Sequence, residues 1–453
     1  MNSRTEHDSM GALQVPTYAL YQAQTQRAVD NFRLNNSTMP LAFIRALLQI
    51  KLAAATTNAE LGLLKPAIAQ AIVQAAQAQL ADTEARQYPV SVYQTGSGTS
   101  SNMNVNEVLA TVASQLAGET VHPNDQVNLG QSSNDTIPTA IHLSAALALQ
   151  HQLLPALVGL QQVIADKSAE CGQILKTGRT HLMDAMPVRF SQVFSGWQAQ
   201  LKHGQTLLTE QIPRLQQLAQ GGTAVGTGVN AHPRFAALFA TQLSQLTGLA
   251  LRPADNFFFS IATQDVAVAC SGALKTLAVA LMKIANDLRW MNSGPLAGLA
   301  EITLPALQPG SSIMPGKVNP VIPEAVAMAC AQVIGHDSAI TVAGQSGNFE
   351  LNVMLPLVAN NLLGSIELMT GSCQALAQQC IGGLVVLQHN TSRTLALNPV
   401  LVTALNPLIG YEKAAAIAKQ AYLQQRPVLD VAIEMSGLSA DELKQLLDPA
   451  LLV

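Results

Sequence analysis

The sequence predicts a mostly α protein with a small N-terminal domain, a long central helical bundle and a short C-terminal helical domain. Two observations carry this expectation. Apolar residues recur at helical spacing along almost the whole chain, and alternating strand patterns are rare. Hydrophobic residues make up 49% of the 453 residues and charged residues only 11%, against about 25% charged in an ordinary soluble protein. Such helices have little charge to turn towards water, so faces buried against other helices or other subunits are expected.

In order along the chain, 41–55 and 66–81 read as helices rich in Ala, Leu and Gln, the second with Pro66 at its first position. Polar stretches at 94–106 and 122–136 are dense in Ser, Thr, Asn and Gly and read as loops, with a helix starting near Asn104. Beyond Pro138 come long helical runs at 141–169, 190–218, 264–291, 323–343 and 351–379. Each is about twice the usual helix length, as in a long bundle. In the last segment 411–425 reads as a helix, Gly437 closes another, and Ser439 with Glu442 forms a capping box for the next. Leu438 and Leu443 are spaced for the accompanying hydrophobic staple. The expected domains are 1–131, 132–387 and 388–453.

Composition also excludes function classes. Hydrophobicity this high rules out a disordered chain. A net charge of −4 carries no basic footprint for nucleic acid, and 4% aromatics offer few stacking platforms. Five cysteines without a CxxC pair read as reduced, buried thiols of a cytoplasmic protein. The first 16 residues are polar, unlike a secretory signal. The most apolar segment, 266–285, is cut by Ser271 and Lys275. No membrane span is expected, since one needs about 20 uninterrupted apolar residues. The nine histidines show no HxxxH or HExxH spacing, so no metal is expected. No nucleotide-binding glycine motif sits in a strand–helix context, and 221–228 reads as a connection between helices.

Four uncharged polar islands stand out against this background. The first, 95–104, carries hydroxyls, amides and glycines that either cradle an anion or simply cap the following helix; composition alone favours the cap. Gln131-Ser132-Ser133-Asn134-Asp135 leads into a helix, where capping and anion binding are compatible duties. Upstream of it, His122-Pro123-Asn124-Asp125 fits a turn or a second polar contact point. Gly178-Arg179-Thr180-His181 sets a proton carrier beside a glycine turn, although most histidines serve structure. The fourth, 309–320, is an irregular loop with three prolines, two glycines, Ser311, Ser312 and Lys317, able to close over a ligand.

At this fourth island the chain resembles a known family. GSSIMPGKVNP (310–320) is similar to the signature of the fumarase/aspartase superfamily. QTGSGTSSNMNVNEV (94–108), HPNDQVN (122–128), QSSNDTIPTAIH (131–142), GRTHLMDAMP (178–187), GGTAVGTGVNAHP (221–233) and SGNFELNVMLP (346–356) follow in the order of its class II fumarate hydratases. His181 favours the hydratases, because aspartate ammonia-lyases typically carry Gln after the Thr. The chain departs from the pattern at Gly130, Arg234, Leu296 and Ala297, none of them a catalytic position in the family.

The resemblance implies a three-domain fumarase/aspartase-like fold and a cytoplasmic homotetramer with a 20-helix core, each active site built by three subunits. It implies reversible hydration of fumarate to L-malate in the tricarboxylic acid cycle, without cofactor, nucleic-acid or membrane partner. Ser311 is then the carbon base, His181 acts on the departing hydroxyl through water, and Glu324 orients the imidazole. A free serine is too weak a base, so the loop must supply an oxyanion-like environment, with Gly and Lys317 the expected contributors. Ser97, Gly98, Thr99, Ser132, Ser133, Asn134, Thr180, Ser312, Lys317, Val318 and Asn319 would hold the two carboxylates. His122 to Asp125 matches a secondary dicarboxylate site. The alternatives are an aspartate ammonia-lyase, another fumarate-releasing lyase, or a non-catalytic structural relative.

Overall fold

The computed structural model describes residues 2–453. It opens on an antiparallel hairpin of β1 (Ser3–Asp8) and β2 (Gly11–Pro16). Helices α1 (Ala23–Asn31), α2 (Leu41–Glu60), α3 (Pro66–Ala81), α4 (Thr99–Ala117), α5 (Ser133–Ala148) and α6 (Leu154–Cys171) follow. A second hairpin pairs β3 (Leu175–Thr180) with β4 (Met183–Arg189). After α7 (Phe190–Thr209) come the short α8 (Ile212–Leu215), then α9 (Phe235–Thr247) and α10 (Phe257–Ala262). The longest helices are α11 (Asp265–Met291), α12 (Val321–Gln345) and α13 (Leu355–Leu376). The chain ends in α14 (Gln388–Ala396), α15 (Asn406–Ile409), α16 (Tyr411–Gln424), α17 (Val428–Met435) and α18 (Ala440–Leu446).

Contacts group these elements into two compact units. The first comprises residues up to Pro155, Gly204–Ala278 and Ala329–Thr370; the second comprises Ala156–His203, Val279–Met328 and Gly371–Val453. All five boundaries fall inside α6, α7, α11, α12 or α13, so the units interleave along the chain.

In the first unit α2, with Leu47, Leu48, Ile50 and Ala53 fully buried, packs on α3, α5 and α9. Its neighbour α4 holds α1 through one side chain. The buried Glu107 carboxylate accepts the N–H groups of Gln22, Gln24 and Thr25 at 2.9–3.1 Å, satisfying donors that no helical carbonyl can reach. Helices α5 and α6 form one run broken by a π turn at Leu149–Leu153. Pro155 has no N–H for the carbonyl of His151 and its ring crowds that carbonyl, and the wider turn relieves the clash. In the second unit, Leu405, Ile417, Val431 and Leu443 centre a separate core under the C-terminal helices.

Helices α11, α12 and α13 match their expected spans within four residues, and the Ser439–Glu442 capping box is present. The run expected at 141–169, by contrast, already starts at Ser133 and is broken at Leu149–Leu153, and the helix expected at 190–218 ends at Thr209. Leu443 is buried, and Leu438 packs on the same cluster. Four further expectations need correction. Helix α4 begins at Thr99 rather than near Asn104, because its first turn is the polar island itself. Pro138 lies inside α5 rather than before it, and residues 123–127 form a π turn rather than open loop. Finally, Ser133–Cys171, Asp265–Met291 and Val321–Gln345 are long and apolar enough to cross a membrane by length and composition. In α11 the Ser271 hydroxyl and the Lys275 ammonium both donate to Asp337 of α12, at 2.8 and 2.6 Å.

Candidate active site

In the first unit four sequence-distant motifs converge on the starts of α4 and α5. Gly98 adopts a left-handed φ of 73° before Thr99, and a Cβ there would lie 2.9 Å from Ile137 of α5. Gly96 passes still closer to its neighbour: a Cβ would overlap the Val353 carbonyl, and its own carbonyl accepts the Leu355 N–H at 2.9 Å. Ser97 and Thr99 hydroxyls lie 2.9 Å apart at the head of α4. Across from them Asn102 donates to the Ser133 hydroxyl at 3.0 Å. Ser132, Ser133 and Asn134 form the head of α5. Ser132 accepts from the Asn134 N–H, and its own N–H donates to Asp135 at 2.9 Å, a capping box. Two helix N-termini of 19 and 16 residues therefore adjoin, lined by hydroxyls and amides. Free N–H groups and both helix dipoles favour an anion there.

The support beneath this cradle escaped the sequence reading. Asp135 is fully buried, and its second oxygen accepts the N–H groups of Gly221 and Thr223 at 3.0 and 2.8 Å. Asn134 donates to the Ala224 carbonyl at 2.8 Å. The glycine-rich 221–228 segment thus clamps α5. Burial raises the Asp135 carboxyl above its usual range, against three backbone donors and the Lys51 charge that pull it down. Lys51 of α2, also fully buried, donates to Asn128 and Gln131, both at 2.9 Å. Nothing in the local pattern marked it, because one lysine in an apolar helix ordinarily extends to water.

The secondary segment forms its own exposed turn. His122 Nδ1 accepts the Asp125 N–H at 3.1 Å, and Pro123 opens the π turn with Asn124 and Asp125 facing solvent.

In the second unit, His181 and Leu182 form the two-residue tip of the β3–β4 hairpin, paired below by Thr180 and Met183. Their φ angles of 57° and 62° suit a tight hairpin turn but cost non-glycine residues about 1–3 kcal/mol each. The imidazole is held out in solvent. Just below, Arg179 forks onto Glu301, which is 2% exposed and also 3.3 Å from Lys176. Gly178 permits the bulge, since a Cβ would meet the Met186 carbonyl at 2.6 Å.

The Ser311 loop is pinned at its neck. Gly310 N–H donates to the Lys317 carbonyl at 2.7 Å, and Asn319 donates back to the Gly310 carbonyl at 2.8 Å. Inside it the Ser311 hydroxyl oxygen accepts the N–H groups of Ile313 and Met314 at 3.2 and 3.1 Å. These two N–H groups are the donors at the Ser311 hydroxyl, where Gly and Lys317 contacts were expected from sequence. Lys317 instead donates to Asn319 Oδ1 at 2.8 Å. Lys317, Val318, Asn319 and Glu324 line one cleft of about 460 Å³ with Arg289 and Trp290, and Ser312 is exposed on the loop. His181 and Thr180 do not line that cleft, and among the described residues no ion pair joins Glu324 to His181. Among those residues no group of three His, Cys, Asp or Glu side chains is placed to hold a metal ion.

The lyase family profile matches residues 11–335, and the fumarase C C-terminus profile matches 401–453. The chain is 61% identical over 448 residues to fumarate hydratase class II 2 of Pseudomonas aeruginosa, covering 99% of this chain and 98% of the relative. It is 58% identical to fumarate hydratase class II of Xylella fastidiosa, covering 99% and 95%. The crystal structure of class II fumarase from Schistosoma mansoni superimposes with a TM-score of 0.95 at 38% identity, covering 99% and 98%. With family profiles at both ends of the chain and full-length relatives at this identity, the chain belongs to the lyase family, among the class II fumarate hydratases.

Proposed function

We propose that this protein catalyses the reversible, stereospecific hydration of fumarate to L-malate, as a step of the tricarboxylic acid cycle in the cytoplasm. The observation that carries the mechanism is the Ser311 hydroxyl, which receives two backbone N–H groups within a loop closed at its neck. Donors aimed at an oxygen stabilise its anion and lower the cost of deprotonation, which turns a weak base into a usable one.

In dehydration, deprotonated Ser311 takes a proton from C3 of L-malate, and the electron pair passes into the adjacent carboxylate as an aci-carboxylate. That pair then returns to form the C2–C3 double bond, and the C2 hydroxyl leaves as water with a proton delivered from His181 through a water molecule. Hydration runs through the same steps in reverse. Ser97, Gly98, Thr99, Ser132, Ser133, Asn134, Thr180, Ser312, Lys317, Val318 and Asn319 hold the two carboxylates, while Glu324 orients His181. His122 to Asp125 form a secondary dicarboxylate site.

We further propose a homotetramer with each active site shared by three subunits. The separation of His181 from the Glu324 cleft within one chain supports that reading. So do the exposed apolar side chains of the long helices, Val279 at 55% and Met328 at 69%. The test follows fumarate absorbance with L-malate or L-aspartate as substrate for the purified protein. Fumarate formed from L-malate and not from L-aspartate is expected. Turnover of L-aspartate alone, or of neither, overturns the proposal.

A further inference from the structure

The groups assigned to the carboxylates in the first unit are all uncharged: hydroxyls of Ser97, Thr99, Ser132 and Ser133 and the amide of Asn134. Hydroxyls and helix ends alone hold a dianion weakly in competition with water, so a fixed positive charge nearby would have a large effect. The structure contains one beneath them. Lys51 projects from α2 with no exposed surface, and its ammonium donates to two side-chain oxygens, Asn128 Oδ1 and Gln131 Oε1, both at 2.9 Å. Among the described residues no carboxylate lies in salt-bridge contact with it.

Those two acceptors connect the ammonium to the cradle. Asn128 Oδ1 also accepts from Asn102 and Asn106 of α4, each at 3.2 Å. Asn102 donates onward to the Ser133 hydroxyl at 3.0 Å. Gln131 directly precedes Ser132, and Asn128 donates to the Gln131 carbonyl at 3.2 Å. The ammonium thus touches both helix heads through one intervening amide each.

We infer that Lys51 is a positioning residue, a buried cation that fixes the starts of α4 and α5 and biases their uncharged cradle towards a dicarboxylate. It touches no substrate itself. The inference rests on the fumarate hydratase reading above and adds to it the source of the cradle's charge. Burial lowers the Lys51 ammonium to about 7, and Asp135 is the charged group that opposes this shift. Near pH 7 the group is therefore about half charged, and a dianion docking above it favours the charged form.

The test compares Lys51→Met, Lys51→Arg and Gln131→Glu with the wild-type tetramer by steady-state kinetics on fumarate, with far-UV circular dichroism and thermal melting. Gln131→Glu is nearly isosteric and sets a carboxylate against the ammonium, at the loss of the amide bonds to the Val127 and Leu129 carbonyls, so its thermal melt is read beside its KM. The expected result is a KM raised at least about tenfold in both Lys51→Met and Gln131→Glu, with a smaller fall in kcat. Lys51→Arg should restore KM to within about threefold, because it keeps the charge. A lowered melting temperature with unchanged KM in folded Lys51→Met or Gln131→Glu would mean a purely structural lysine and overturns the inference. Should Lys51→Met fail to fold, Gln131→Glu decides alone. Wild-type protein inactive on fumarate removes the hydratase reading, whereas active wild type with insensitive variants removes only the role of Lys51.

Discussion

Ser311 and His181 are held in place by different means, and their substitutions are nonetheless expected to share one signature. Ser311 accepts two N–H groups that have no other partner in the loop, so Ser311→Ala removes both the proposed base and the reason for that turn. His181 sits at a hairpin tip where backbone conformation, not packing, aims the ring. Asparagine tolerates the same left-handed φ, which makes His181→Asn a clean removal of the proposed proton carrier. Both variants are expected to lose about 10²–10⁴-fold in kcat, with melting temperature and assembly size unchanged. Near-normal turnover in either purified variant would remove the role given to that residue.

At the scale of elements, the neck of the Ser311 loop is the feature to break. A Cβ at Gly310 would lie 2.7 Å from the Lys317 carbonyl and 2.9 Å from the Asn319 nitrogen, both backbone atoms. Gly310→Ala is therefore expected to open the neck and lower kcat at least about tenfold. The melting temperature should hold, because the loop is exposed and contributes little core. An unaltered kcat would show that loop closure does not govern Ser311. This loop was legible in the sequence through its prolines, glycines and lysine, and the long helices through their apolar period. The hairpins were not. β1 reads SRTEHD and is half exposed throughout, so it has no apolar face to betray it. The β3–β4 tip uses His181 and Leu182 where a tight hairpin turn usually advertises itself with Asn-Gly. Nor was the layer under the cradle legible. Asp135 looked like a cap, which it is, but its second oxygen reaches 86 residues along the chain to Gly221. Contacts over such separations depend on the fold and leave no periodic trace.

For the whole molecule, two consequences follow from placing polar groups inside and apolar groups outside. Lys51 has a folded pKa of about 7, below its unfolded value of 10.5. The unfolded chain therefore binds more protons between those values, and the stabilising contribution present above 10.5 fades as pH falls to 7. Stability should rise with pH across this window, by at most about 1.4 kcal/mol per unit from this one group. The difference between wild type and Lys51→Met in denaturant midpoint at pH 7 and pH 9 isolates it, and an equal midpoint shift at both values would contradict the burial. The second consequence concerns assembly. Val158, Val279, Met328 and Val342 are each at least half exposed on the long helices, a distribution that water would penalise in an isolated chain. If copies of the chain cover these faces, a charge placed on one must be buried without a partner, at a cost of several kcal/mol per contact. Met328→Glu is therefore expected to shift the protein from the proposed tetramer to smaller species in light scattering behind size exclusion. Activity should fall with it and recover partly at high protein concentration, because mass action opposes dissociation. A Met328→Glu protein that remains tetrameric and fully active would mean that this face looks out to solvent in the assembly.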